Sequence, residues 1–329
     1  MYRADRSSKE SHSERAPMVL ATLVAAGWLA LGVACAAGEK DKQNESVAKT
    51  TAPTVAPQPA VAGEVIDSGT GVPQNVTLAS AQEIYRKHHY IEATESFDSY
   101  VQRHPDNSFA LYMLGLSAWK SGDLERARSA LEQSLALDST NVKTLLNLGR
   151  VLLDDGQPDE ARVRVATAAQ LDSNSAEVQR MMARVQATSG QRDSAIASYR
   201  LALAIDPADS WSMNNLGLLF IDQGRYAEAL PPLARAVELR PDAPVFQNNL
   251  GVALERTGHP AAAVEAYRAA LKNDSTYTKA SISLARVEGT MNDSTVDVVD
   301  LGALAQAFNE EIQTARQTRL MAKVPVKPE

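Results

Sequence analysis

A period of 34 residues constrains this chain more than any other feature in it. Displaced by that step, the sequence superimposes on itself column after column. Ala93, Ala127, Ala161, Ala195, Ala229 and Ala263 form one column, alanine in every copy. Gly115, Gly149, Gly217 and Gly251 form a second, completed by Ala81 and Ala183. Gly122, Gly156, Gly190, Gly224 and Gly258 form a third, which only His88 breaks, and Leu114, Leu148, Met182, Leu216 and Leu250 form a fourth. Six copies tile 74–277 without insertion: 74–107, 108–141, 142–175, 176–209, 210–243 and 244–277. A fixed period of this length is the signature of a solenoid, whose units bury their apolar faces against their neighbours.

Each copy reads as two helices. In the second, Leu111, Leu114, Gly115 and Ala118 recur at helical spacing and make one packed stripe. Gly115, lacking a side chain, lets a neighbouring helix come close. Ser121-Gly122-Asp123 then ends the first helix: the glycine suits a left-handed cap and Asp123 can cap the next helix. Ala127, Leu131 and Ser134 form the inward face of that second helix. Pro158 and Pro260 fall near the starts of second helices, where a missing N–H costs little. Pro105, Pro207 and Pro241 close three copies, with Ser139, Ser173 and Ser275 in the other three. Pro231-Pro232, inside the second helix of the fifth copy, removes two donors and is expected to bend or shorten it. The low aromatic content, 5%, suits close helix packing better than a sheet.

Past 277 the pattern weakens. Thr278–Glu288 supplies one more first helix, with Leu284 and Ala285 in the expected columns, followed by a turn at Met291–Thr295. Leu301, Leu304, Phe308 and Ile312 then predict an amphipathic helix to about Leu320. A solenoid end needs a cap with a polar outer face, and residues 278–320 are read as that half repeat and capping helix. Residues 321–329 are expected to be a disordered tail.

The spacing of Leu216-Gly217, Phe220, Gly224, Ala229, Leu233, Ala236 and Pro241 resembles the tetratricopeptide repeat family almost throughout. Departures concentrate in the first copy, where Ser80, Ala81 and His88 replace the large apolar residue and two glycines. The resemblance implies an all-α, right-handed α-solenoid whose first helices line a concave groove.

The N-terminal segment carries a separate message. Arg3, Arg6, Lys9 and Arg15 precede Met18–Ala37, a run without charge, which together read as a secretory signal. The run also reaches the roughly 20 residues that span a bilayer. Cys35 is the only cysteine, so no intramolecular disulfide can form. Preceded by Leu31-Gly32-Val33-Ala34, it resembles the lipobox of bacterial lipoproteins, although Gly32 stands where a branched aliphatic residue is usual. Processing to a lipoprotein acylated at Cys35, retention as an uncleaved signal anchor, and simple secretion are the three readings of residues 1–37. All place the repeats outside the cytoplasmic membrane, in a bacterial cell envelope. Ala36 after the cysteine favours, by the same resemblance, the outer membrane. Residues 38–73, with Pro53, Pro57 and Pro59 and no helical period, read as an extended, disordered tether.

A partner face can be read from the first helices. Phe109, Tyr112, Leu116 and Trp119 lie opposite the packed stripe of the second copy. The same columns hold Arg150 in the third copy, and Glu177, Arg180 and Arg184 in the fourth. They hold Trp211 and Asn214 in the fifth copy, and Asn248 and Glu255 in the sixth. An extended peptide with an apolar anchor and a carboxylate for Arg150, Arg180 or Arg184 fits that surface, because an arginine fork holds a carboxylate in two bonds. Packing of the aromatics against the first repeat, with local pairing of the arginines, explains it equally well. Asn147, Asn215 and Asn249 share a column and could bond a ligand backbone, as an asparagine ladder does in O-linked N-acetylglucosamine transferases, or serve a local structural role. The absent lysine–asparagine pattern argues against recognition of the two-carboxylate-clamp type.

Net charge is −7, which gives no basic footprint for nucleic acid. Walker, HExxH and GxSxG motifs are absent, and His88, His89 and His104 have no supporting carboxylates or cysteines at metal-ligand spacing. No catalytic residue, cofactor or metal is expected. The chain is read as a non-enzymatic scaffold binding another protein or peptide, with Phe109, Tyr112, Trp119, Arg150, Arg180, Arg184, Asn215 and Asn249 as candidate groove residues. Docking on an envelope enzyme through the convex face, and self-assembly through the C-terminal helix, are the alternatives.

Overall fold

The computed structural model describes residues 76–289 and 298–322. The signal or anchor with Cys35, the linker, the turn at Met291–Thr295 and residues 323–329 lie outside the described residues.

Among these residues the chain forms 14 helices and no strand. They come in pairs: α1 (Leu78–Arg86) and α2 (Tyr90–Arg103), α3 (Ser108–Ser121) and α4 (Leu124–Leu137), α5 (Val142–Asp154) and α6 (Pro158–Leu171). Next come α7 (Ala176–Thr188) and α8 (Arg192–Ile205), α9 (Ser210–Asp222) and α10 (Tyr226–Leu239), α11 (Pro244–Arg256) and α12 (Pro260–Asn273). Two single helices follow, α13 (Thr278–Glu288) and α14 (Leu301–Ala322).

The columns explain the pairing. Every alanine of the 93–263 column is fully buried. A methyl group at these sites is what permits two helix backbones to meet. The facing glycines are tighter still: a Cβ on Gly115 would stand 2.5 Å from Leu131 Cγ, inside any real carbon–carbon contact. Helix starts are fixed by side-chain caps, with Asn107, Asp123, Asn141, Ser175 and Asp209 each accepting from a backbone N–H one turn ahead. Pro158 and Pro260 sit in the first turn of α6 and α12.

First helices of neighbouring repeats touch one another along most of the array, whereas the second helices are splayed apart. The first helices therefore occupy the inner, concave side. One junction departs from this pattern: α7 and α9 stand further apart than the other successive first helices. The buried core divides one step earlier, within α7: Met181 and Val185 join the cluster of the second and third repeats, whereas Ala183 joins α8 and the fifth repeat.

Three details differ from the sequence reading. First, α10 keeps the same length as the other second helices despite Pro231 and Pro232. The carbonyls these prolines leave unbonded belong to Ala227 and Glu228, both on the exposed side, where water can take the missing donor's place. Second, α14 does not close the end of the solenoid. It turns back and lies on the outer surface against α8 and α10, with Phe308 and Ile312 in their core and Ala305 buried beside them. Its apolar stripe matches the gap between two second helices, and α13 is left without a second helix among the described residues. Third, Met321 and Ala322, assigned from sequence to the tail, are the last residues of α14.

The third column carries a test. Gly122 ends α3 at a φ of +90°, and His88, the one non-glycine of that column, is held at +65°. A side chain in the left-handed region costs roughly 1 kcal/mol, against which His88 gains a hydrogen bond of 2.8 Å between Nδ1 and the Tyr90 hydroxyl. His88→Gly is expected to stabilise the first repeat by about 0.5 kcal/mol, read as slower hydrogen exchange in α1 and α2.

Candidate anion pocket on the concave face

The eight candidate groove residues fall into three groups. The aromatic end is tied into local structure. Phe109 is 46% exposed at the start of α3, its ring 6.3 Å from that of Tyr112. The Tyr112 hydroxyl accepts from Asn147 Nδ2 at 3.1 Å, and Trp119 Nε1 donates to Asp154 Oδ2 at 2.8 Å, with Lys120 Nζ 4.4 Å from the indole centroid. Burial pushes the Asp154 carboxyl up, and the bond from Trp119 works against it.

The asparagine column bonds to its own surroundings. Asn147 donates to the Lys143 carbonyl and accepts from Arg150. Asn249 is 7% exposed and donates to Asn214 Oδ1 at 3.0 Å, while Asn214 donates to Asn215 Oδ1 at 3.2 Å. Asn215 also borders a recess shared with the buried Tyr199. This amide chain braces α9 against α11 and leaves Asn249 little surface for a ligand.

The arginines converge. In the wider gap between α7 and α9 lies a cavity of about 130 Å³ lined by Arg150, Arg180, Met181, Arg184, Trp211 and Asn215. It brings together four of the residues singled out from sequence. Arg150 reaches in from α5, held by Asn147 Oδ1 at 2.6 Å and Glu177 Oε1 at 2.5 Å. Arg180 donates to Asp209 Oδ2 at 2.6 Å. Arg184 is only 5% exposed, and its NH1 lies 3.8 Å from Met181 Sδ. Burial pulls the Arg184 pKa down, Tyr199 and Asp154 partly restore it, and Arg150 and Arg180 lower it further. Burial pushes the Glu177 carboxyl up, but its bond and charge contact with Arg150 prevail and hold it below the usual range. Trp211 forms the apolar wall, its indole packed edge-on against Phe246 at 5.0 Å.

Three guanidiniums thus meet two carboxylates, Glu177 and Asp209, and adding Lys120 and Asp154 behind them leaves the balance unchanged. Met181 and Trp211 were not among the site residues chosen from sequence, and neither was Asp209. Asp209 stands in the cap column with Asn107, Asn141 and Ser175, and its being the charged member of that column, at the end of the copy that holds Arg180, was the available signal.

Beneath this cavity Arg184 and Asn215 also border a narrow recess with Tyr199, Leu218, Leu219 and Asp222. Burial raises the Asp222 pKa to about 6, with Arg192 opposing it. Between the unfolded value near 3.8 and about 6, the folded chain holds this proton and the unfolded chain does not, so stability falls as pH rises through that window. Asp222→Asn is expected to stabilise the protein at pH 7 by about 1 kcal/mol, after discounting for solvent screening. That gain should vanish by pH 4, a comparison read from denaturant titrations of both proteins at the two pH values.

No cluster of three or more potential metal ligands occurs among the described residues, and none of their helices is long and apolar enough to cross a membrane.

Sequence models of the tetratricopeptide repeat match residues 78–142 and 214–278, 118–185, and 176–209, together well over half of the chain. No curated relative matches. Among solved structures, a tetratricopeptide repeat protein from Parabacteroides merdae is similar at 14% identity and a TM-score of 0.57, over 64% of this chain and 82% of that one. The Cut9–Hcn1 hetero-tetramer of the APC/C is similar at 18% identity and the same TM-score, over 64% of this chain and 42% of that one. MamA is 25% identical over 50% of this chain and 97% of its own, with a TM-score of 0.42. The first two likenesses concern the fold alone.

Proposed function

The chain belongs to the tetratricopeptide repeat family, whose members are scaffolds that bind other proteins, and from that premise we propose that it seats a partner's carboxylate in the cavity between α7 and α9. The observation that carries this reading is the meeting of Arg150, Arg180 and Arg184 around one concave opening with an indole wall. Arginine forks suit a carboxylate, and Trp211 and Met181 offer apolar surface to the side chain next to it. The ligand is an extended segment bearing an acidic residue or a C-terminus beside an apolar residue. The convex alternative loses the surface of α8 and α10, which α14 already occupies.

The signal-like run at Met18–Ala37 and Cys35 support a lipid-anchored protein of the bacterial envelope. Residues 38–73 serve as the tether that holds the repeats away from the membrane.

Selection from a library of acidic pentapeptides, each made as free acid and as amide, tests the site. The full chain is expected to enrich peptides with a carboxylate next to an apolar residue. Arg184→Met keeps the volume of the buried stem and removes the charge. It is expected to lose about tenfold or more in affinity, the equivalent of one charge-assisted hydrogen bond, with its melting curve retained. Equal enrichment by Arg184→Met and by the unaltered chain would remove the cavity from the binding site.

A further inference from the structure

We infer that the C-terminal helix α14 sets the opening of the arginine cavity from the opposite face of the same two repeats. This rests on the cavity being the binding site only for its functional consequence; the mechanical statement stands on its own.

The cavity lies between the first helices of the fourth and fifth repeats, α7 and α9. Helix α14 lies across the second helices of those same repeats, α8 and α10. It is anchored by Phe308 and Ile312, which enter one core with Tyr199, Leu203, Leu233 and Ala236, and Ala305 beside them is buried. At its edge Glu311 pairs with Arg200 of α8 at 3.2 Å. Farther along, Arg319 NH2 donates to Asn174 Oδ1 at 2.6 Å, in the turn that leads into α7. The helix therefore lies mainly on the fifth repeat, pairs with the fourth through Arg200 and reaches the end of the third through Asn174.

Each repeat is a closely packed helix pair that moves as a unit, because its alanine and glycine contacts leave no slack. Tilting two such units about their junction opens the inner side when the outer side closes. Elsewhere the inner side is held by first helices in mutual contact; at α7 and α9 that contact is relaxed, and the two repeats are joined mainly through the core around Tyr199, Met213 and Leu216. The brace is on the outside at the one junction that is weakest inside. Tyr199 carries the coupling through the layer: it is buried on α8, in the core that α14 joins, and it borders the recess beneath the cavity together with Arg184 and Asn215. A ligand that prefers one opening of the cavity must then favour or oppose α14 docking, and the reverse by linkage.

The test reads the junction without a ligand. In full-length protein carrying Cys35→Ser, nitroxides are placed on Thr188→Cys and Ala227→Cys, exposed positions of the fourth and fifth repeats. Their separation is measured by pulsed electron resonance, with hydrogen exchange reporting whether α14 is docked. Phe308→Asp is expected to strip protection from α14 and to broaden and displace the distance distribution. Phe308→Ala, which keeps the repeats folded if the aspartate does not, is expected to give a smaller change of the same sign. An unchanged distribution in variants whose α14 has lost protection would overturn the inference, as would α14 amides that remain protected in both. A displaced distance with unchanged affinity for the selected acidic pentapeptides would instead count against the cavity as binding site and leave the brace standing.

Discussion

Replacing Tyr267 with alanine is expected to cost about 3–5 kcal/mol, the range for deleting a fully buried aromatic side chain. The ring is completely buried on α12 and lies where a Cβ on Gly251 would be, 2.5 Å from its Cε1. That glycine on α11 exists to receive it. Its hydroxyl donates to Glu255 Oε2 at 2.9 Å, and the same carboxylate also holds Arg286 of α13, so the loss removes a packing wedge and loosens a three-helix link. Because a solenoid is stabilised by nearest-neighbour contacts, the damage should stay at this end. Hydrogen exchange is expected to show α11, α12 and α13 opening together ahead of α3–α6, and denaturation is expected to become two-phased. Tyr267→Phe, which loses only the hydroxyl, should cost about 1 kcal/mol. A uniform loss across all repeats would contradict the one-dimensional account.

Asp209 is the second position with a large expected effect, and it joins stability to the site. Its carboxylate is buried, caps α9 through the Ser212 N–H at 3.2 Å, accepts from the Ser212 hydroxyl at 2.6 Å and binds Arg180 at 2.6 Å. Asp209→Ala loses the cap, about 1 kcal/mol, and strands a half-buried guanidinium, for a total of about 2–4 kcal/mol. Asp209→Asn keeps an acceptor for the cap but removes the charge that opposes Arg180. It should therefore lose less stability while raising affinity for acidic pentapeptides several-fold, an effect that weakens with added salt. Affinity that falls in Asp209→Asn would mean that Arg180 must be pre-oriented by the full carboxylate.

The repeats were legible in sequence because the features that make them are the features that recur. Ala127 and Gly115 are small for the same reason in every copy, two backbones meeting, so packing writes itself as columns. The position of α14 was not legible in that way. Leu304, Phe308 and Ile312 announce an apolar stripe, but a stripe says nothing of which surface covers it, and a lone helix has no copies with which to compare its register. The prolines of α10 misled for a related reason: the penalty for a missing donor depends on whether the stranded carbonyl meets water, which is a property of the fold.

The candidate site was half legible. Arg150, Arg180 and Arg184 stand out as charges in two columns otherwise aromatic, amide or apolar, and they do share a cavity. Their partners were hidden, since Asp209 reads as a cap and Glu177 as a first-turn acid until the fold brings each to an arginine. Trp119 and Tyr112, which looked like free anchors, are spoken for by Asp154 and Asn147. Trp119 stands near the end of its helix and Trp211 at the start of its own, and only Trp211 faces the wider junction between α7 and α9.

The central claim is that a partner's acidic segment lies in the concave cavity of the fourth and fifth repeats. It is tested most directly by placing a photo-crosslinking amino acid at Trp211 in the full-length protein in cells, and at Val163, an exposed site on α6, as the outer-face control. The account predicts crosslinks from position 211 to a defined partner segment with a carboxylate at or beside the linked residue, abolished by Arg184→Met, and none of that segment from position 163. Crosslinks to the partner from 163 with position 211 silent would contradict it and move recognition to the convex face.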